Sequence, residues 1–319
     1  MFSSFNFSLW CDFIERDFLA NGLGDLVDKK IVNGATSNPA IFQSAFKNSN
    51  AYKADIANLS GKSAKEIYEE LACFDISKAS DILRPLYDEN KNNGYISIEV
   101  DPMLCDDEEG TYSEGMRLFE KIDKPNVMIK VPATDAGYGA MKRLINNKIS
   151  VNATLIFSPS QTRKTLEAFS GIDGDTRAVI SVFVSRFDRK LDEILSEKGK
   201  VGIYNATKLY KIVEEAGLKE VRTLFASTGV KGDSYPADYY IKELLYKNSI
   251  NTAPLGTIND FMKLNSEFSD KYPIENIEID RLFNEVKKTI DMKIVYSALL
   301  TEGLRSFKDS FSDILKDFK

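Results

Sequence analysis

Lys130, Glu99 and Asp12 are the residues of this chain from which covalent chemistry is most readily built, and each lies in or directly after a stretch with strand-like alternation. The chain contains no histidine. That removes the commonest general base, the usual catalytic triads and almost every transition-metal site, so proton transfer falls to carboxylates, lysine or tyrosine. A lysine against an apolar strand face is costly to keep charged, and a partly neutral amine is a nucleophile. With two carboxylates beside it, such an amine suits imine chemistry on a carbonyl. The amine attacks a ketone, water is lost, and the resulting cation accepts electrons when a neighbouring carbon–carbon bond breaks. Taken alone, Lys130 reads instead as a strand-end lysine whose stem packs while its head reaches water.

The choice between these readings depends on what the chain places around Lys130. Residues 126–132 read as a strand with Val127, Ile129 and Val131 on one face and Met128 and Lys130 on the other. Residues 95–100 set Ile96, Ile98 and Val100 against Ser97 and Glu99. Residues 150–155 set Val151, Ala153 and Leu155 against Asn152 and Thr154, and residues 178–184 set Ile180, Val182 and Val184 against Ser181 and Phe183. Further strands are expected at residues 9–12, with Asp12 at the end, and at 31–33, 223–226 and 250–253. The loop after the second carries Thr36 and Asn38. Helical spacing is expected over 13–24, in two or three helices within 43–93, through 146 after a cap at Thr134 or Asp135, over 206–215, and from 256 onward. Ser158-Pro159-Ser160-Gln161 has capping-box spacing with proline at the first helical position. The acidic run at 106–109 reads first as a helix start, with a carboxylate Mg²⁺ site as the lesser alternative.

Eight strands alternating with helices, without a linker between them, predict an α/β fold. The expected architecture is a TIM-type (β/α)₈ barrel with extra helices between strands two and three and at the C-terminus, residues 1–319 forming a single domain. A doubly wound open sheet is the alternative. In a barrel the polar strand positions gather at one mouth, which brings Asp12, Asn38, Glu99, Lys130, Asn152, Thr154, Ser181 and Arg186 together. A polar interior held only by mutual hydrogen bonds is the competing explanation. Arg186, with Ser227 and Lys231 in the loop after strand seven, has the donors to hold a phosphate, although each alone also reads as a solvated loop group.

Composition narrows the class. Of 319 residues, 43% are hydrophobic and 28% charged, the net charge is −6, and no basic cluster interleaves with aromatics, so nucleic acid is not an expected partner. Cys11, Cys73 and Cys105 are too far apart for a CxxC pair, which speaks for a reducing compartment. No signal-peptide pattern or membrane-length apolar run is present, so a cytoplasmic protein without a membrane partner is expected, as a monomer or a homodimer.

Five segments together resemble the signature segments of transaldolases: Gly34-Ala35-Thr36-Ser37-Asn38-Pro39, Ser97-Ile98-Glu99-Val100-Asp101, Ile129-Lys130-Val131-Pro132, Asn152-Ala153-Thr154-Leu155-Ile156-Phe157 and Ile180-Ser181-Val182-Phe183-Val184-Ser185-Arg186. They occur in the family's order. The resemblance implies a cofactor-free, class I aldolase-type barrel. Such an enzyme moves a dihydroxyacetone unit from sedoheptulose 7-phosphate to glyceraldehyde 3-phosphate, in the non-oxidative pentose phosphate pathway. It further implies that Lys130 forms the Schiff base, that Glu99 and Thr154 order the water of imine formation and hydrolysis, and that Asp12 is the acid-base group for carbon–carbon cleavage. Asn38 and Asn152 would bind donor hydroxyls, with Thr36, Ser181 and Phe183 shaping the pocket, and Arg186 and Ser227 would take the phosphate. Asp17, inside the following helix, is a decoy. Where the better-known branch has a second arginine just after the serine matching Ser227, this chain has Thr228-Gly229-Val230-Lys231. Lys231 would substitute as a point charge lacking arginine's planar fork. Two other readings stay open: an aldolase with the same residues that releases free dihydroxyacetone, and a non-catalytic phosphosugar-binding barrel, against which the Lys130, Glu99 and Asp12 set argues.

Overall fold

The computed structural model describes residues 6–232, 234–263 and 270–319. The chain begins with β1 (Ser8–Cys11), α1 (Arg16–Asn21), α2 (Leu23–Asp28) and β2 (Gly34–Thr36), followed by α3 (Pro39–Asn48), α4 (Lys53–Asn58) and the long α5 (Ala64–Glu89). It continues through β3 (Tyr95–Glu99), α6 (Glu108–Ile122), β4 (Val127–Pro132), α7 (Asp135–Asn146), β5 (Val151–Ile156), α8 (Pro159–Ala168), β6 (Ala178–Phe183), α9 (Ser185–Leu191) and α10 (Val201–Ala216). Then come β7 (Val221–Ala226), α11 (Tyr239–Glu243), β8 (Ile250–Ala253), α12 (Leu255–Met262), α13 (Asn276–Thr289) and α14 (Met292–Asp317). The eight strands close in sequence order into one parallel barrel, β1 pairing with β8, which excludes the open sheet.

Strand parity divides the core as the alternation predicts. Val127, Ile129, Val131, Ile180, Val182 and Val184 join the apolar layer between barrel and helices. Trp10, Tyr95, Met128, Val179, Leu224 and Ile250 form part of a second cluster that fills the barrel. The caps also follow the sequence. Ser158 and Gln161 make a reciprocal capping box at α8, and Thr134 caps α7. The acidic run opens α6: Asp107 accepts from the Gly110 amide, and Glu109 pairs with Arg143 at 2.6 Å.

Four expectations need correction. The second strand is Gly34–Thr36 rather than 31–33. The Trp10 ring lies across it so closely that a Cβ on Gly34 would fall 2.4 Å from Trp10 Cε2, so bulk on β1 demands small residues on β2. The helix expected over 13–24 is two short helices separated at Gly22, against which the Phe18 ring packs. Leu155 does not share a face with Val151 and Ala153. The β5–β6 register shifts between Ala153 and Ile156, Leu155 takes a left-handed φ of 58°, and Ile156 joins the helix-facing layer in its place. The helix expected over 206–215 starts at Val201, with Gly202 in its first turn under the Val184 carbonyl. The helical tail is seen as α12, α13 and α14, while the part of that expectation covering residues 264–269 lies outside the described residues.

Candidate active site

Three adjacent strands place the central groups side by side. The register sets Glu99 of β3 opposite Lys130 of β4, and Lys130 opposite Asn152 of β5. Lys130 is only 5% exposed, which removes the snorkelling alternative. Its Nζ donates to the Ser37 carbonyl at 3.0 Å and lies 3.3 Å from Glu99 Oε2. Glu99 is itself buried, and burial pushes its pKa up to about 7, with the Lys130 charge opposing the rise. Neither Glu99 carboxylate oxygen nor Thr154 Oγ1 has a hydrogen-bond partner among the described residues, although all three are buried. In a native core such atoms pair with protein or water, so this trio has the capacity to hold a water beside the amine.

Asp12 follows β1 directly. Its Oδ1 accepts from Thr36 Oγ1 at 2.6 Å, and that hydroxyl also meets Thr252 Oγ1 at 2.7 Å. Burial raises the Asp12 pKa, while the Lys130 charge and the Thr36 hydrogen bond pull it back. Asp17 is exposed on α1. Asn152 Oδ1 accepts from Ser181 Oγ at 2.6 Å and its Nδ2 donates to Ser97 Oγ at 3.0 Å, so three strands fix the amide orientation. Asn38 caps α3, accepting from the Ile41 amide at 3.0 Å.

Asp12, Thr36, Asn38, Lys130, Thr154, Ser181, Phe183, Arg186 and Ser227 all line one cavity of about 170 Å³ at the C-terminal mouth of the barrel. Glu99 and Asn152 stand just behind that lining, in contact with it through Lys130 and Ser181. Past Arg186 and Ser306 the cavity meets a groove of about 420 Å³ bordered by Arg189, Lys190 and Glu302. Arg186 lies over the Phe183 ring at 5.1 Å, and burial lowers its pKa to about 10, with the Arg189 charge acting in the same direction. Ser227 adopts a φ of 56° and its hydroxyl lies 3.0 Å from that of Ser185. Lys231 is exposed and is not among the residues lining either space. Thr228, next to Ser227, turns inward, with its hydroxyl 2.8 Å from Asn251 Oδ1 and 2.8 Å from the Thr252 carbonyl.

Several residues in or next to the lining had no sequence signal as site residues. Thr252 sits on an inward parity position of β8, but in a strand of only four residues. Ser306 and Phe307 come from α14, whose helical periodicity marks only a packed face. Ser37 contributes its backbone carbonyl, which no residue type reveals.

Comparison with known proteins agrees with this geometry. The family model described as Transaldolase/Fructose-6-phosphate aldolase matches residues 9–318. A transaldolase of Helicobacter pylori is 48% identical, the alignment covering 98% of this chain and 99% of that protein. A transaldolase of Campylobacter jejuni subsp. doylei is likewise 48% identical, with 98% of this chain and 99% of that protein covered. A barrel with a buried lysine flanked by carboxylates at its C-terminal mouth, matched from end to end in this way, belongs to the transaldolase/fructose-6-phosphate aldolase family.

Proposed function

We propose that this chain is a transaldolase that carries a dihydroxyacetone unit on Lys130 from sedoheptulose 7-phosphate to glyceraldehyde 3-phosphate, giving erythrose 4-phosphate and fructose 6-phosphate. The observation that carries this reading is the Lys130 amine buried 3.3 Å from Glu99, within a cavity that Asp12 also lines. The neutral amine adds to the donor ketone and water leaves, forming an iminium. Asp12 takes the proton of the C4 hydroxyl, the C3–C4 bond breaks, and its electrons move into the iminium to give an enamine. The aldose phosphate departs. The enamine carbon then attacks the acceptor aldehyde, Asp12 returns the proton to the new hydroxyl, and water held by Glu99 and Thr154 hydrolyses the new iminium.

Asn38, Asn152 and Ser181 supply hydrogen bonds for the donor hydroxyls, and Thr36 and Phe183 shape the walls. Arg186 and Ser227 take the phosphate. The reaction as written needs no cofactor. Among the described residues no helix is long and apolar enough to cross a membrane. We assign the chain to the cytoplasm, with residues 1–319 as one barrel domain.

Borohydride reduction in the presence of fructose 6-phosphate should leave a three-carbon adduct on Lys130, located by peptide mass spectrometry. Lys130→Met should lose the adduct while keeping the wild-type circular dichroism spectrum. A label on another lysine, or none, would overturn the assignment.

A further inference from the structure

The last helix meets the barrel at Gly303 and reaches the site one turn later at Phe307. At Gly303, α14 comes so close to the barrel that a Cβ would fall 2.8 Å from Leu155 Cδ2 and 3.0 Å from Arg186 Nη1. Leu155 is the residue whose left-handed backbone follows Thr154 directly, and it joins the cluster that includes Phe157, Phe183 and Phe307. Glycine at 303 therefore lets α14 seat low enough to put Phe307 into the cavity. The Phe307 ring is 5% exposed, lines the cavity, and has its centroid 5.5 Å from Lys130 Nζ. Contacts along the helix hold it there. Glu302 pairs with Lys190 at 2.6 Å, Phe311 meets the Tyr68 ring edge-on at 5.1 Å, and Phe318 packs on Phe46 at 5.6 Å.

We infer that Phe307, seated by Gly303, is a specificity-determining residue that keeps the three-carbon unit on Lys130 until an aldehyde acceptor arrives. This rests on the transaldolase reading above. After donor cleavage the enamine has two exits. In transfer, its carbon forms a bond to the acceptor aldehyde carbon, whose oxygen takes a proton. In release, the same carbon takes a proton instead, water adds to the resulting C=N bond, and the amine departs, leaving free dihydroxyacetone. Release needs water and a proton at the enamine before the acceptor binds. An apolar ring packed against the amine excludes from that side the water that release requires.

The test uses the full chain with Phe307→Ala, Phe307→Leu and Gly303→Ala. Two rates are compared: dihydroxyacetone released from fructose 6-phosphate alone, and transfer from fructose 6-phosphate to erythrose 4-phosphate. Phe307→Ala should raise the ratio of release to transfer about tenfold, equivalent to about 1.4 kcal/mol between the two exits. Gly303→Ala, which lifts the helix, should move the ratio the same way. Phe307→Leu, which keeps apolar bulk, should stay closer to wild type than Phe307→Ala. An unchanged ratio, including a proportional fall of both rates, would overturn the inference and leave Phe307 a structural residue. If Phe307→Ala fails to fold, the ratio in Gly303→Ala and Phe307→Leu decides by the same criterion. A wild-type chain without transfer or without the Lys130 adduct would refute the transaldolase reading instead, a result distinct from an unmoved ratio in a transferring enzyme.

Discussion

Glu99 carries a cost at neutral pH that its chemistry explains. Both of its oxygens are buried without a hydrogen-bond partner among the described residues, and the Lys130 amine is 3.3 Å away. Burial is the largest influence on its pKa, which stands at about 7, above the ordinary glutamate value of about 4.3. The folded chain therefore holds a proton between about pH 4.3 and 7 that the unfolded chain has released, and this contribution to stability is lost as pH rises through about 7. Activity has the opposite sign, because only ionised Glu99 can take a proton from the water that attacks the iminium. Turnover should rise with pH through about 7. Glu99→Gln should lose that limb, fall in turnover by roughly 10²–10⁴-fold, and unfold at higher temperature than wild type at pH 8. A pH–kcat profile with melting curves checks all three effects. Retention of the pH 7 limb in the variant would remove Glu99 from the proton path.

Arg186 depends on how α9 is held, and α9 is held by a carboxylate on the same helix. Asp188 Oδ1 accepts from the Gly202 amide at 2.8 Å, and Oδ2 accepts from the Tyr240 hydroxyl at 2.9 Å, so one side chain joins α9, α10 and α11. Asp188→Ala leaves both donors without their partner, which should lower stability by about 1–3 kcal/mol. With Arg186 two residues away, KM for phosphorylated sugars should rise more than kcat falls. Urea unfolding and steady-state kinetics measure the two effects, and an unmoved midpoint would show that the three-helix junction does not depend on Asp188. At this scale the limits of legibility are physical. Parity located Lys130, Glu99, Asn152 and Ser181 because one side of each strand is packed by helices and must be apolar. It misplaced β2 because a short strand beneath Trp10 is built from small residues, which look like a turn. It misassigned Leu155 because a register shift breaks the period of two. Phe307 escaped because a helix that closes a site and one that merely packs carry the same apolar stripe.

Across the whole barrel, chemistry and closure occupy opposite ends. Between them lies the apolar filling that includes Trp10, Met128, Leu224 and Ile250. At the N-terminal end Arg222 of β7 is buried, with no carboxylate ion pair among the described residues. Its Nη2 donates to the Asn6 carbonyl at 2.7 Å, to Ser8 Oγ at 3.0 Å and to the Ser249 carbonyl at 2.8 Å. Its Nη1 and Nε reach the Asn92 and Asn248 carbonyls at 3.2 and 3.3 Å. One guanidinium thus ties the start of β1 to the segments entering β3 and β8, near the seam where β1 meets β8. Only a planar fork with five donors can serve so many acceptors from one point. Arg222→Met would strand those acceptors at about 1–3 kcal/mol each where water cannot reach them, so a loss of at least about 3 kcal/mol is expected, with Arg222→Lys recovering part of it. Because the Lys130 cavity is at the other end, kcat/KM measured well below the unfolding temperature should match wild type for both variants. Urea midpoints alongside kcat/KM separate the two ends, and lost activity with an unchanged midpoint would show that the barrel transmits strain from its closure to its catalytic mouth.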